Sequence, residues 1–66
     1  MKNTLRVERA RHSMTQAELA ERIGVSRQTI NAIESGRYIP STLLALKLAQ
    51  VFSVPVETLF VLEADD

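Results

Sequence analysis

The chain has 66 residues, no cysteine, one histidine and equal numbers of acidic and basic residues. A chain of this length has room for one compact domain only, and this composition excludes disulfide bonds and a structural metal as sources of stability. We therefore expect a single domain, residues 1–66, that depends on close helix packing and on self-association.

The charges are unevenly distributed along the chain. Residues 1–37 contain seven basic and four acidic side chains, whereas residues 38–66 contain one basic and four acidic side chains. This asymmetry favours contact between the N-terminal half and a polyanion, although chance imbalance on a solvated surface is the alternative. Because charged residues follow Met1 closely and the longest apolar stretch is too short to cross a bilayer, we expect a cytoplasmic protein with no membrane contact.

Capping residues mark the first two predicted helices. Asn3 or Thr4 can cap a first helix that ends near His12. Thr15, followed three residues later by a glutamate, has the pattern of a capping box. This pattern predicts a second helix over residues 16–23.

Glycine and serine mark the third helix. Gly24 can adopt the positive φ that ends the second helix, and the hydroxyl of Ser26 can cap the next one. The third helix is predicted over residues 27–35, and Gly36 closes it.

The C-terminal third is rich in apolar residues. Ser41 can cap a fourth helix, residues 42–52, whose apolar band is wide enough to be buried on most sides. Pro55 favours a short fifth helix that ends near Phe60. Residues 60–62 are then expected to be extended or strand-like, and residues 61–63 are expected to pair as a strand with the residues that precede the first helix.

Residues 16–35 carry small and apolar side chains in the order that two helices meeting at a tight turn require. The pattern is Gln-x-x-Leu-Ala-x-x-Ile-Gly-Val-Ser-x-x-x-Ile-x-x-Ile-Glu. Over residues 5–60 the chain resembles the helix-turn-helix family of phage repressors and Cro, often called the XRE family. The resemblance implies an all-α, five-helix, lambda-repressor-like DNA-binding domain that pairs as a homodimer. The chain differs from many relatives at Glu8, usually apolar, and at Ser53, usually glycine.

One face of the third helix has the composition expected of a base-reading surface. At about 100° per residue, Ile30 and Ile33 point toward the core. The residues that can reach base edges in the major groove are Arg27, Gln28, Asn31, Ala32 and Ser35. Amide side chains pair with adenine, arginine favours guanine, and an alanine methyl suits the thymine methyl. An ordinary solvated helix face is the alternative.

Phosphate contacts are expected to flank this face. The predicted phosphate-binding residues are Gln16, Ser26, Arg37 and Tyr38. The last two can alternatively cover the core beneath the fourth helix. The resemblance further implies that Glu34 pairs with an arginine of the first helix, and Arg9 holds the matching position; the alternative is that both are exposed.

The apolar residues of the C-terminal segment exceed what a short terminal helix can bury within one small domain. We expect a two-fold homodimer interface that contains Val56, Leu59, Phe60, Val61 and Leu62. Such a dimer would place two recognition helices one DNA turn apart, roughly 34–36 Å, on an inverted-repeat operator.

The expected function is that of a sequence-specific regulator of transcription on double-stranded DNA, a repressor, which is nucleoid-associated when bound. An enzyme is not expected, because His12 has no neighbouring nucleophile or carboxylate constellation and the chain has no phosphate-binding glycine loop. No cofactor, metal ion or small-molecule effector is expected either. Two alternatives remain: an antitoxin that binds DNA and masks a protein partner, and a helical adaptor without DNA contact.

Overall fold

A computed structural model describes all residues from Met1 to Asp66. The fold consists of five helices and a two-stranded sheet formed by the two ends of the chain. The elements are β1 Lys2–Asn3, α1 Leu5–Arg11, α2 Gln16–Ile23, α3 Arg27–Glu34, α4 Thr42–Phe52, α5 Val56–Leu59 and β2 Phe60–Val61. The predicted five-helix fold is therefore confirmed, and none of its helices is long and apolar enough to span a membrane.

The helix starts depend on the predicted capping residues. Thr15 and Glu18 form a reciprocal capping box at the start of α2, each side chain bonding the backbone N–H of the other residue. Ser26 and Ser41 accept hydrogen bonds from backbone N–H groups in the first turns of α3 and α4. Because these bonds satisfy N–H groups that a helix leaves unpaired, they fix where each helix begins.

The start of α1 is built differently from a simple cap. Thr4 occupies the cap position, but its hydroxyl donates to the carbonyl of Thr58 at 2.9 Å instead of capping the helix. The Asn3 side chain accepts from the Leu5 N–H at 3.2 Å and donates to the Ile33 carbonyl at 2.9 Å. These bonds attach the start of α1 to α3 and α5.

The terminal sheet was predicted, but its second strand, Phe60–Val61, begins one residue earlier and is shorter than expected. β1 and β2 are antiparallel, with Lys2 opposite Val61 and Asn3 opposite Phe60. The paired segment therefore begins at Phe60 and leaves Leu62 and Glu63 outside the sheet. The reason is a bond between the two ends of the chain: the Thr4 N–H donates to the Leu59 carbonyl at 2.9 Å, so α5 ends at Leu59 and extended pairing follows at once.

One hydrophobic core lies between the helices. Six large side chains are fully buried, at least one from every helix: Leu5, Leu19, Ile30, Ile33, Leu48 and Leu59. The core is closed by packing of α2 on α3 and α4, and of α4 on α5. Burial of apolar surface in this single cluster is the main force that holds the short helices together.

Helix α4 is less enclosed than its sequence predicts. Leu48, Ala49 and Phe52 are buried, but Leu43 and Leu46 are 63% and 51% exposed. The prediction that α4 is buried on most sides is therefore wrong. The neighbouring helices cover one side of α4, and no other element covers the side on which these two leucines lie.

Two positions at which the chain departs from the pattern of the family that it resembles have clear structural roles. Glu8 is buried, with 5% of its surface exposed, and its carboxylate lies 3.3 Å from Nη1 of Arg11. Ser53 ends α4 with a φ of 54°, in the left-handed region that favours glycine. The serine therefore makes the turn that glycine usually makes, with some backbone strain.

Candidate nucleic-acid interface

Helices α2 and α3 form a compact unit joined by a tight turn. Gly24 has a φ of 73°, and the N–H of Val25 then donates to the carbonyl of Ala20 at 3.0 Å. The small side chain of Ala20 is itself buried, with 3% exposure, so α3 approaches α2 closely. The turn thereby fixes the orientation of α3 relative to the rest of the domain.

The outer face of α3 carries the predicted base-reading residues. Ile30 and Ile33 are buried in the core, at 0% and 1% exposure. On the other side of the helix, Arg27, Gln28 and Ser35 are exposed, and Asn31 and Ala32 are half-buried. The structure thus places all five outside the core, on a helix that can present them to a ligand.

A concave surface, which forms a cavity with a volume of about 530 Å³, lies on this side of α3. It is lined by Arg27, Gln28, Asn31, Ala32 and Arg37. Four of these are predicted base-reading residues, and the fifth is a predicted phosphate contact. Two arginines give the concave surface positive charge, which suits a polyanionic ligand.

Arg37 reaches this surface because the chain reverses at the end of α3. Gly36, with a φ of 80°, lets its own N–H donate to the Ile33 carbonyl and the Arg37 N–H donate to the Ala32 carbonyl, both at 3.0 Å. This is the paired hydrogen-bond pattern of a Schellman C-cap. The cap turns Arg37 back alongside the final turn of α3.

The Arg37 guanidinium is hydrogen-bonded to two predicted base-reading residues. Its Nη2 donates to Asn31 Oδ1 and its Nε donates to Ser35 Oγ, each at 3.0 Å. The Ser35 hydroxyl donates in turn to the Ala32 carbonyl at 3.1 Å. Ser35 therefore holds Arg37 in place, a role that sequence reasoning missed. The glycine immediately before Arg37 was the available signal.

The other predicted phosphate contacts lie at the edges of α2 and α3. Ser26 Oγ accepts from the Thr29 N–H at 3.1 Å and lies 3.0 Å from the Thr29 hydroxyl. Tyr38 is 44% exposed and so is not enclosed beneath α4. Gln16 is half-buried, and its Nε2 donates to Glu34 Oε1 at 3.0 Å. That bond leaves one of the two amide N–H groups of Gln16 for an external acceptor.

Arg9 and Glu34 form an enclosed ion pair behind the interface. Arg9 Nε lies 2.8 Å from Glu34 Oε2 and Arg9 Nη2 lies 3.2 Å from Oε1, the two-point geometry of a strong arginine–carboxylate pair. The Glu34 side chain is fully enclosed and that of Arg9 is 18% exposed. Arg6 makes a longer contact with Glu34, at 3.5 Å. The pair joins α1 to the end of α3.

The pKa of Glu34 is set by two opposing influences, burial of the carboxylate and its contacts with Arg9 and Gln16. Burial is the largest single influence and raises the pKa, because it disfavours the charged form. Hydrogen bonds from Arg9 and Gln16, with the charge of Arg9, together outweigh burial, so the pKa lies below its ordinary value of 4.5. The same contact with Glu34 raises the pKa of Arg9. Glu34 is therefore an anion in the folded protein at neutral pH.

One of the five residues predicted for the dimer interface does not lie at the surface of the domain. Leu59 is fully buried within the domain, so its inclusion in the interface was wrong: it fills the core between α4 and α5. Val56 and Phe60 are half-buried, whereas Val61 and Leu62 are 42% and 78% exposed. A second concave surface, of about 600 Å³, is lined by residues that include Val56 and the exposed Leu46.

His12 has a structural environment. It is exposed, its ring centroid lies 5.1 Å from that of Phe52, and its Nδ1 lies 2.9 Å from the Glu8 carbonyl. These contacts close the end of α1 over the core.

Comparisons with known proteins agree on one family. The helix-turn-helix family model HTH_3 matches residues 5–59. An uncharacterized HTH-type transcriptional regulator of Methanocaldococcus jannaschii is 53% identical over 66 residues, with the whole of both chains covered. The uncharacterized HTH-type transcriptional regulator YgzD of Bacillus subtilis is 48% identical over 66 residues, again with both chains fully covered.

Solved structures have the same fold. A crystal structure described as that of a candidate DNA-binding protein from Bacteroides fragilis superposes with a TM-score of 0.80 at 31% identity, covering 88% of this chain and 94% of the other. The solution structure of the SOS-response transcriptional repressor LexA from Eubacterium rectale gives a TM-score of 0.77 at 35% identity, covering 82% of this chain and 57% of the solved chain. The matched relatives and solved structures are described as transcriptional regulators and DNA-binding proteins, which indicates a DNA-binding regulator and not an enzyme. With its capped α2–α3 unit and its near full-length matches, this chain belongs to the XRE-type helix-turn-helix family of DNA-binding transcriptional regulators.

Proposed function

We propose that residues 1–66 act as one DNA-binding domain, a transcriptional repressor that binds an inverted-repeat operator as a homodimer. In this proposal α3 lies in the major groove of double-stranded DNA and reads its sequence. The observation that carries the proposal is the outer face of α3, where amide and guanidinium groups line one concave surface. The described role of LexA from Eubacterium rectale as a repressor supports the direction of regulation. DNA binding would keep the protein in the cytoplasm, at the nucleoid.

The base contacts are assigned to the exposed groups on this face. Gln28 and Asn31 carry amides that can pair with base edges, Arg27 favours guanine, and the Ala32 methyl suits a thymine methyl. Ser35 acts through the arginine that it holds. Because the core side chains fix the rotation of α3, these groups enter the groove in a fixed order.

Phosphate contacts are assigned to residues that flank the face. The free amide N–H of Gln16 lies in the first turn of α2, where unpaired backbone N–H groups also attract an anion. Ser26 and Tyr38 offer exposed hydroxyl groups at the two ends of α3, and Arg37 adds positive charge beside them. Contacts of this kind position a protein on DNA without reading its sequence.

The homodimer interface is assigned to the C-terminal apolar surface. Val56, Phe60, Val61 and Leu62 retain apolar surface after the core closes, and Val56 lines a concave surface together with the exposed Leu46 of α4. Exposed apolar groups that lie together favour association. A two-fold axis at this surface would set the two α3 helices roughly 34–36 Å apart, which gives half-site centres about 10 bp apart.

Selection of bound duplexes from a random pool tests DNA reading. The wild type is expected to enrich an inverted repeat, and Asn31→Ala is expected to cost roughly 1–3 kcal/mol on that site and to relax the preference at one position of each half-site. Arg22→Ala, which removes an exposed polar side chain from α2, is the control and should retain the full preference. An Asn31→Ala protein with unchanged specificity would show that α3 does not read bases in the proposed manner.

Analytical ultracentrifugation tests the dimer. The wild type should dimerise at tens of micromolar, and both Phe60→Asp and Leu62→Asp should dissociate it, because each places a carboxylate in an apolar interface. Leu62 is 78% exposed, so its substitution tests association without disturbing the core. Val7→Asp, at a 52% exposed apolar position of α1, is the control. A monomeric wild type, or a Leu62→Asp protein that dimerises as well as the control, would refute this interface.

A further inference from the structure

The Arg37 guanidinium determines how the Asn31 amide is oriented. An arginine only donates hydrogen bonds, so the atom of Asn31 that faces Nη2 at 3.0 Å must be the carbonyl oxygen Oδ1. The amide nitrogen Nδ2 is therefore held on the other side, with both of its N–H groups free. A second bond, from Arg37 Nε to Ser35 Oγ, keeps the guanidinium in this position.

The combined surface of these residues presents hydrogen-bond donors. Arg37 has five N–H groups, of which two are used within the protein, so three remain for a ligand. Asn31 adds the two N–H groups of Nδ2. The hydroxyl hydrogen of Ser35 is committed to the Ala32 carbonyl, and its oxygen accepts from Arg37. Asn31 and Arg37 together therefore offer five N–H donors to a ligand. Their only acceptor is Asn31 Oδ1, which already accepts one hydrogen bond from Arg37.

Bases differ in how they fit such a surface. In the major groove guanine offers two acceptors, N7 and O6, whereas adenine offers the acceptor N7 and the donor N6. An asparagine that reads adenine needs Oδ1 to accept from the N6 amino group. Here one lone pair of Asn31 Oδ1 already accepts from Arg37 Nη2, which lies 3.0 Å away. The N6 amino group of an adenine that approached the second lone pair would therefore lie close to the positively charged guanidinium, which also donates to this oxygen. Guanine meets no such conflict.

We propose that Arg37 is a specificity-determining residue that forms, with Asn31, a composite reader of guanine. The inference rests on the proposed function of α3 as the base-reading helix. It changes the role of Arg37 from a phosphate contact to a base contact, and it changes the base read at the Asn31 position from adenine to guanine. Without Arg37, the Asn31 amide is free to turn and to pair with adenine in the ordinary way.

Selection from random duplexes by four proteins tests this inference. The proteins are the wild type, Arg37→Ala, Arg37→Lys and the control Arg22→Ala, which removes an exposed arginine from α2. The position read by Asn31 is identified as the one that Asn31→Ala relaxes. At that position the wild type and the control should select guanine, and in Arg37→Ala the ratio of guanine to adenine should fall about tenfold or more. Arg37→Lys keeps the charge but lacks the planar fork, so it should lose the preference as well.

Each other result overturns the inference in a recognisable way. Weaker binding of Arg37→Ala to all sequences, with an unchanged base preference, would make Arg37 a phosphate contact and leave the proposed function intact. Full guanine preference in Arg37→Lys would show that charge, and not the pairing with Asn31, is responsible. A wild type that enriches no sequence would instead refute the proposed function itself. Thermal melting of each variant verifies that this exposed residue can be changed without unfolding the domain.

Discussion

Removal of Arg9 from the enclosed ion pair is the most informative test of how this fold is stabilised. Arg9→Met keeps a long apolar side chain and removes the charge, so that Glu34 loses the partner that binds both of its oxygens. Arg9 also donates to the Met14 carbonyl at 2.9 Å, which attaches α1 to the segment before α2. The substitution therefore removes the contacts of Arg9 with Glu34 and with the Met14 carbonyl. Loss of the first leaves the enclosed Glu34 carboxylate poorly paired.

The expected magnitude follows from the exposure of the two partners. An exposed ion pair contributes about 0–1 kcal/mol, whereas loss of one partner of a fully buried pair costs roughly 3–5 kcal/mol. Glu34 is enclosed, but Arg9 is 18% exposed, and Gln16 and Arg6 remain in contact with the carboxylate. We therefore expect a loss of about 2–3 kcal/mol in the free energy of unfolding. For a domain of this size that is a decrease in Tm of about 10–20 °C.

A double-mutant cycle separates the ion pair from the other contacts of Arg9. Denaturant unfolding of the wild type, Arg9→Met, Glu34→Gln and the double variant should give a coupling energy of about 2 kcal/mol. The matched control is the cycle with Arg6→Met, because Arg6 is on the same helix but is 70% exposed and 3.5 Å from the carboxylate. Its coupling should stay below about 1 kcal/mol. Equal coupling in both cycles would refute the argument from enclosure.

Three further changes follow from the same structure. Because the pKa of Glu34 is lowered in the folded state, the contribution of its charged form to folding stability is fully present above about pH 4.5 and is lost as the pH falls through the folded-state pKa. The difference in stability between the wild type and Glu34→Gln should therefore shrink in unfolding curves measured at acid pH. A constant difference would contradict this. Ser53→Gly should raise the free energy of unfolding by about 0.5–1 kcal/mol, because it relieves a left-handed residue at some cost in unfolded-state entropy; calorimetry that shows destabilisation would contradict this. Thr15→Ala should cost about 1 kcal/mol in urea unfolding, since it removes one half of the capping box, and an unchanged midpoint would mean that the box is dispensable.

Local signals in the sequence were sufficient for most of the helix boundaries. Thr15, Ser26 and Ser41 cap the helices that were predicted from them, and Gly24 makes the predicted turn. These features depend on hydrogen bonds and backbone angles within a few residues, which amino-acid type alone constrains strongly. The rotation of α3 was predictable for a related reason, since Ile30 and Ile33 recur on one side of the helix.

The burial of individual side chains was decided by tertiary packing. Leu43 and Leu59 are equally apolar in the sequence, yet Leu43 is 63% exposed and Leu59 is fully buried. Which one is covered depends on where α4 and α5 meet the other helices, and helical periodicity within one segment does not contain that information. The strand register likewise depends on a long-range bond, from the Thr4 N–H to the Leu59 carbonyl.

The candidate site likewise has features that the sequence predicts and features that depend on tertiary packing. The sequence by itself determined which side chains α3 turns away from the core, because this depends on the spacing of residues within one helix. Only the tertiary structure decided how those side chains bond to one another. Arg37 donates a hydrogen bond to Asn31 because the C-cap at Gly36 reverses the chain. The Gln16 amide donates to Glu34 because α2 begins beside the end of α3. Such contacts join residues from different turns and helices, so their geometry exists only after the core has fixed the helices in place.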